Sequence, residues 1–174
     1  RKGGDSMRIR KGFTLIELLV VIAIIGLLST LAVVALNSAR QKARDSKRVS
    51  DVKQIQTALE LYFNDNNAYP LNPGAPAASE IGRDITCIDS TGWRASGCLA
   101  TVYMGLAPRD PQSEVADDAC APAETAPCDY VYQRGTTNPN TEYNIHFRLE
   151  AATGGLQSGL NCGTEAGTGG TCTH

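Results

Sequence analysis

From Phe13 to Asn64 the chain contains no proline and a single glycine, Gly26. Nothing in that stretch breaks a helix outright, and a glycine inside one costs only about 1 kcal/mol relative to alanine. Histidine is scarce: there are two, His146 and His174, and no Cys-x-x-Cys pair, so a zinc site lacks its usual ligands. The chain also lacks Gly-x-Ser-x-Gly, His-Glu-x-x-His and a phosphate-binding glycine loop. Gly154-Gly155 and Gly169-Gly170 are not followed by Lys-Ser/Thr. A catalytic role is therefore not expected. No cysteine precedes Cys87, and all six fall between positions 87 and 172. An even number confined to one part of the chain points to disulfides in an oxidising compartment.

Against these absences stands one long apolar run. A basic cluster (Arg8, Arg10, Lys11) and Gly12 precede 24 residues from Phe13 to Leu36, interrupted by one carboxylate, Glu17. About 20 apolar residues cross a ~30 Å hydrocarbon core as a helix. The run is longer than the core of a secretory signal peptide, and no small-x-small cleavage site closes it. A plain anchor fits the length but leaves Glu17 unexplained, because an ionisable group inside a bilayer is costly. Residues 1–53 carry eleven Lys/Arg against four Asp/Glu, and residues 54–174 five against fourteen. The basic side places the N-terminus in the cytoplasm by the positive-inside rule. The acidic remainder argues against sequence-independent nucleic-acid binding by that part.

Continued to Asn64, the unbroken stretch amounts to 52 residues and a helix of ~78 Å. Its second half is amphipathic: Val49, Val52, Ile55, Leu59 and Tyr62 step by three and four. Arg40, Lys42, Arg44, Lys47 and Arg48 read as a solvated face and interfacial anchor. Asn64-Asp65-Asn66-Asn67 and Tyr69-Pro70 end the helix. Residues 71–127 read as a long disulfide-stapled loop with a short helix around Thr101–Gly105. An antiparallel hairpin is expected over about 129–150, from Asp129–Gln133 and Glu142–Glu150, with the turn at Gly135 and Asn138-Pro139-Asn140. Tyr143, Ile145, Phe147 and Leu149 form its apolar face, which the helix stripe covers, and His146 falls on the polar face. After Glu150 a Gly/Ser/Thr-rich loop follows. Six cysteines allow fifteen pairings. The short loops Cys87–Cys98, Cys120–Cys128 and Cys162–Cys172 are favoured because each closes a Gly- or Pro-bearing segment. The fold class is α+β: a long N-terminal helix packed on a small antiparallel sheet, with stapled loops.

Lys11-Gly12-Phe13-Thr14-Leu15-Ile16-Glu17 resembles the processing site of type IV pilins and of the pseudopilins of type II secretion systems. The resemblance implies that a prepilin peptidase cuts after Gly12 and methylates the new terminus, Phe13, and that Glu17 is the carboxylate used in subunit assembly. The chain then divides into a leader (1–12), a membrane and filament-core helix (13–36), an amphipathic helix (37–66) and a head (67–174). Met7 as the start gives a leader of six residues. Also implied are partners: identical or related subunits in a helical filament, the peptidase, inner-membrane assembly machinery, and lipid before assembly. The protein is expected as a single-pass inner-membrane chain with its head outside the cytoplasm, and then in an extracellular or periplasmic filament. A membrane-anchored adhesive or DNA-binding protein, a minor or tip pilin, is the alternative. Asp110-Pro111 is similar to the Asp-Pro that opens the calcium loop of the major pseudopilin, with Asp117 and Asp118 close behind. The family's Trp-Gly-Asn-Pro continuation is replaced by Gln112-Ser113-Glu114, so an acidic loop held by cystines, with no cofactor, is preferred to a calcium site. The proline that many pilins carry in this helix is also missing.

Overall fold

The computed structural model describes residues 12–71, 79–112, 128–135 and 140–169. The chain divides between Arg40 and Gln41 into two compact units. A single element, helix α1 (Leu15–Asn66, 52 residues), runs through both. It is continuous because no proline removes a backbone donor within it.

In the first unit the side chains of α1 are uncovered. From Phe13 to Leu36 the large apolar residues are between 48% (Val21) and 86% (Phe13) exposed. Among the described residues this is the stretch long and apolar enough to cross a membrane.

In the second unit α1 becomes amphipathic, and Val52, Ile55, Ala58 and Leu59 are buried. The helix stops at Asn66. Asn67 adopts a left-handed φ of 54° and its N–H reaches the Phe63 carbonyl at 2.8 Å, a cap that asparagine tolerates better than most residues. The strands are β1 (Ser79–Glu80), β2 (Cys87–Asp89), β3 (Gly92–Arg94), β4 (Val102–Met104), β5 (Val131–Arg134), β6 (Tyr143–Leu149), β7 (Gly159–Thr164) and β8 (Gly167–Thr168). They form an antiparallel sheet of order β1-β5-β6-β7-β8 and a small one of order β3-β2-β4.

The hairpin expected over 129–150 is β5 and β6, with Val131 opposite His146 and Arg134 opposite Tyr143. Tyr143, Ile145, Phe147 and Leu149 are at most 2% exposed and join Val52, Ile55 and Leu59 in one core. Each such fully buried apolar side chain contributes roughly 1.5–3 kcal/mol. Gly163 on β7 permits the close approach: a Cβ there would stand 2.8 Å from Val52 Cγ1.

Four expectations need correction. The short helix around Thr101–Gly105 is strand β4, because β2 offers it a ladder. The 71–127 loop contains four short strands among its described residues. The stretch after Glu150 is not only loop: β7 completes the main sheet beside β6. His146 is not on the surface but 3% exposed, lying between Val131 and Cys162 in the register on the sheet's second face.

Candidate functional site

Gly12 and Phe13 precede the helix and are exposed, with no heavy atom within 4 Å of where a Gly12 Cβ would lie. The turn that follows is a reciprocal cap. The Thr14 backbone N–H and hydroxyl both donate to Glu17 Oε2, at 2.8 and 2.7 Å, and the Glu17 N–H donates to Thr14 Oγ1 at 3.3 Å. Thr-x-x-Glu at the head of an apolar helix is a capping box, in which two orphan backbone donors are satisfied at once. The carboxylate also sits at the positive end of the helix dipole. The role of Thr14 was legible in Thr14-Leu15-Ile16-Glu17 and was missed. Glu17 Oε1 accepts no hydrogen bond among the described residues.

A second constellation lies in the head. Arg48, expected on a solvated face, is 1% exposed, at the centre of three carboxylates. Its Nε and Nη2 donate to the two oxygens of Asp110 at 2.6 and 3.1 Å. Nη1 donates to Asp45 at 2.8 Å and to Glu150 at 2.7 Å, and Nη2 also to Gln112 Oε1 at 2.9 Å. Arg44 clasps both oxygens of Glu150 at 2.7 and 2.6 Å. Asp45 in turn accepts the backbone N–H groups of Glu150 and Ala151 at 3.0 and 2.9 Å. Burial alone would lower the Arg48 pKa, but its hydrogen bonds to Asp110 and Glu150 hold it above its ordinary value. Alongside, the Tyr130 hydroxyl donates to Asp51 at 3.0 Å, and burial followed by the Asp51 charge raises its pKa. Of the basic cluster, Arg40 and Lys42 are exposed as expected. Arg48 is not, because it continues the stripe of Val52, Ile55 and Leu59 by one helical step and is carried under the sheet end with Asp45.

Cys87 and Cys98 form a disulfide across 11 positions, the first of the favoured loops. Cys128 and Cys162 are disulfide-bonded as well. Cys120, Cys172, Asp117 and Asp118 lie outside the described residues.

The segment 7–33 matches the family model described as the prokaryotic N-terminal methylation motif. The chain is similar to the type II secretion system core protein G of Aeromonas hydrophila, 46% identical over 104 residues, covering 60% of this chain and 68% of that protein. It is 45% identical over 67 residues to the core protein G of Pectobacterium carotovorum subsp. carotovorum, 38% of this chain and 43% of that protein. It is 44% identical over 69 residues to the type IV wide pilus major component PilA4 of Thermus thermophilus, 40% of this chain and 53% of that protein. The chain thus spans about half the length of the last two relatives. No solved structure matches it.

Proposed function

The chain belongs to the family of type II secretion pseudopilins and type IV pilins, and from that membership we propose that it is a structural subunit of a helical filament. The observation that carries the reading is the uncovered apolar run with one carboxylate four residues beyond Phe13. Such a surface needs lipid before assembly and neighbouring helices after it.

In this reading the basic leader stays in the cytoplasm, α1 inserts in the membrane, and cleavage after Gly12 releases the Phe13 amine for methylation. Glu17 then meets the amine of an adjacent subunit. Thr14 holds one carboxylate oxygen at the helix start, which leaves Oε1 to accept from the incoming ammonium. In a low dielectric the pairing offsets part of the desolvation of both groups, whereas a subunit out of register leaves the carboxylate unpaired and penalised. The head stays outside the cytoplasm and takes no catalytic part.

The test is Glu17→Ala and Glu17→Gln in a strain with no other copy of the subunit. Both variants should insert and be cleaved, because neither touches the Gly12–Phe13 bond. Both should yield far fewer sheared filaments per processed subunit than the native chain. Glu17→Gln keeps size and hydrogen bonding and so isolates the charge. Filaments at native yield from both would remove Glu17 from assembly and favour a chain whose helix only tethers its head.

A further inference from the structure

We infer that Arg48 is the built-in cation of the segment 110–112, so that this segment is held without a metal at Asp110. A calcium ion takes six to eight oxygens at about 2.3–2.6 Å. Here both oxygens of Asp110 are already committed to one planar guanidinium, Oδ2 to Nε and Oδ1 to Nη2. The Gln112 N–H also donates to Asp110 Oδ1, at 2.8 Å. A metal bound by this carboxylate would lie against N–H donors and a positive charge, so the residues present do not fit calcium at Asp110.

The donors left over match a guanidinium instead. Asp110 spans Nε and Nη2 of Arg48, Asp45 and Glu150 both accept from Nη1, and the Gln112 side-chain carbonyl accepts from Nη2. Such a fork pairs with planar carboxylates through directed N–H bonds, which an ammonium or a spherical ion does not reproduce. Arg44 supplies a second positive charge on Glu150. Two guanidinium groups thus carry the charge that one divalent cation would bring. The departure from the family pattern fits the same account. Gln112, standing first where Trp-Gly-Asn-Pro is expected, turns its Oε1 to Arg48 at 2.9 Å.

The arrangement ties three distant segments together: α1 through Asp45 and Arg48, the loop at 110–112, and the end of β6 at Glu150. These joints hold as long as Arg48 is present.

The experiment uses the full chain in detergent, unfolded by heat and followed through Trp93, the single tryptophan and 7% exposed. Native, Arg48→Met and Asp110→Asn chains are compared in millimolar calcium and in excess chelator. The native midpoint should be the same in both. Each variant should melt lower by roughly 10 °C or more, because one partner of a buried pair is left behind. The double variant should lose less than the sum of the two. If Arg48→Met does not fold, the Asp110→Asn comparison decides alone. A calcium-dependent rise in the native midpoint that Asp110→Asn abolishes would overturn the assignment, as would an Arg48→Met chain as stable as the native one. A rise that survives Asp110→Asn places the metal elsewhere and leaves Arg48 as the cation of this loop.

Discussion

Glu150 is claimed by two arginines at once, with Arg44 on both oxygens and Arg48 on Oε1. The hydrogen bond from Arg44, opposed by burial, holds its carboxyl at about 2, below the ordinary 4.5. Since the folded value is the lower one, the stabilisation is present above pH 4.5 and is lost as the pH falls from 4.5 towards about 2. With the side chain 23% exposed the contribution is at most ~3 kcal/mol. Urea midpoints measured through that range should fall steeply for the native chain. Glu150→Gln should start lower at neutral pH and follow a shallower acid limb. An unchanged limb in the variant would assign the acid sensitivity to another carboxylate. The broader lesson at this scale concerns phase. Asp45 and Arg48 precede Val52, Ile55 and Leu59 by steps of three and four, so both lie on the buried face of α1. A charge in phase with an apolar stripe requires buried partners, and the sequence did not say that Asp110 and Glu150 would supply them.

At the scale of elements, the small sheet β3-β2-β4 depends on its staple. Cys87 lies on β2, and Cys98 in the connection from β3 to β4. Asp89 organises the β2–β3 turn, accepting from the Thr91 N–H and hydroxyl, and reaches the β3–β4 connection by accepting from the Leu99 N–H. Tyr103 on β4 reaches Asp65 near the end of α1 at 2.6 Å. Closing a loop of 11 positions contributes roughly 2–3 kcal/mol in the chain-entropy account. Cys87→Ala/Cys98→Ala should therefore lower the melting midpoint and raise hydrogen exchange through residues 87–104, while α1 keeps its protection. Equal loosening of α1 and this sheet would show that the bridge does more than staple the loop. Here sequence reading fared worst. Strands of three residues carry too little periodicity to be seen, and Thr101–Gly105 becomes a strand only because β2 is in register beside it.

For the whole molecule, the decisive contrast is between an apolar run left exposed among the described residues and a head with its own core. That contrast suits a protein that passes from bilayer to assembly, and in the proposed function processing at Gly12 is the step between them. Gly12→Ala should still be cut, whereas a bulky residue such as Gly12→Trp should block cleavage and leave the unprocessed chain in the membrane. Intact mass of filament subunits should correspond to a chain beginning at Phe13 with a methylated amine. Filaments that retain residues 7–12 would sink this account of processing.

The apolar run, its lone carboxylate, the helix end near Asn66 and the β5–β6 hairpin were all legible in the sequence. Each is a local pattern: uninterrupted hydropathy, a turn-forming cluster, or an alternation of period two. The tertiary structure alone decided where the buried charges meet, that β7 rather than a loop flanks β6, and that His146 lies under a covered face. The meeting of the buried charges depends on residues 62 to 106 positions apart, such as Arg48 with Asp110 and Arg44 with Glu150. Local propensity carries no information across that distance. Packing does, because a buried guanidinium or a sheet edge is stable only where folding brings it a partner.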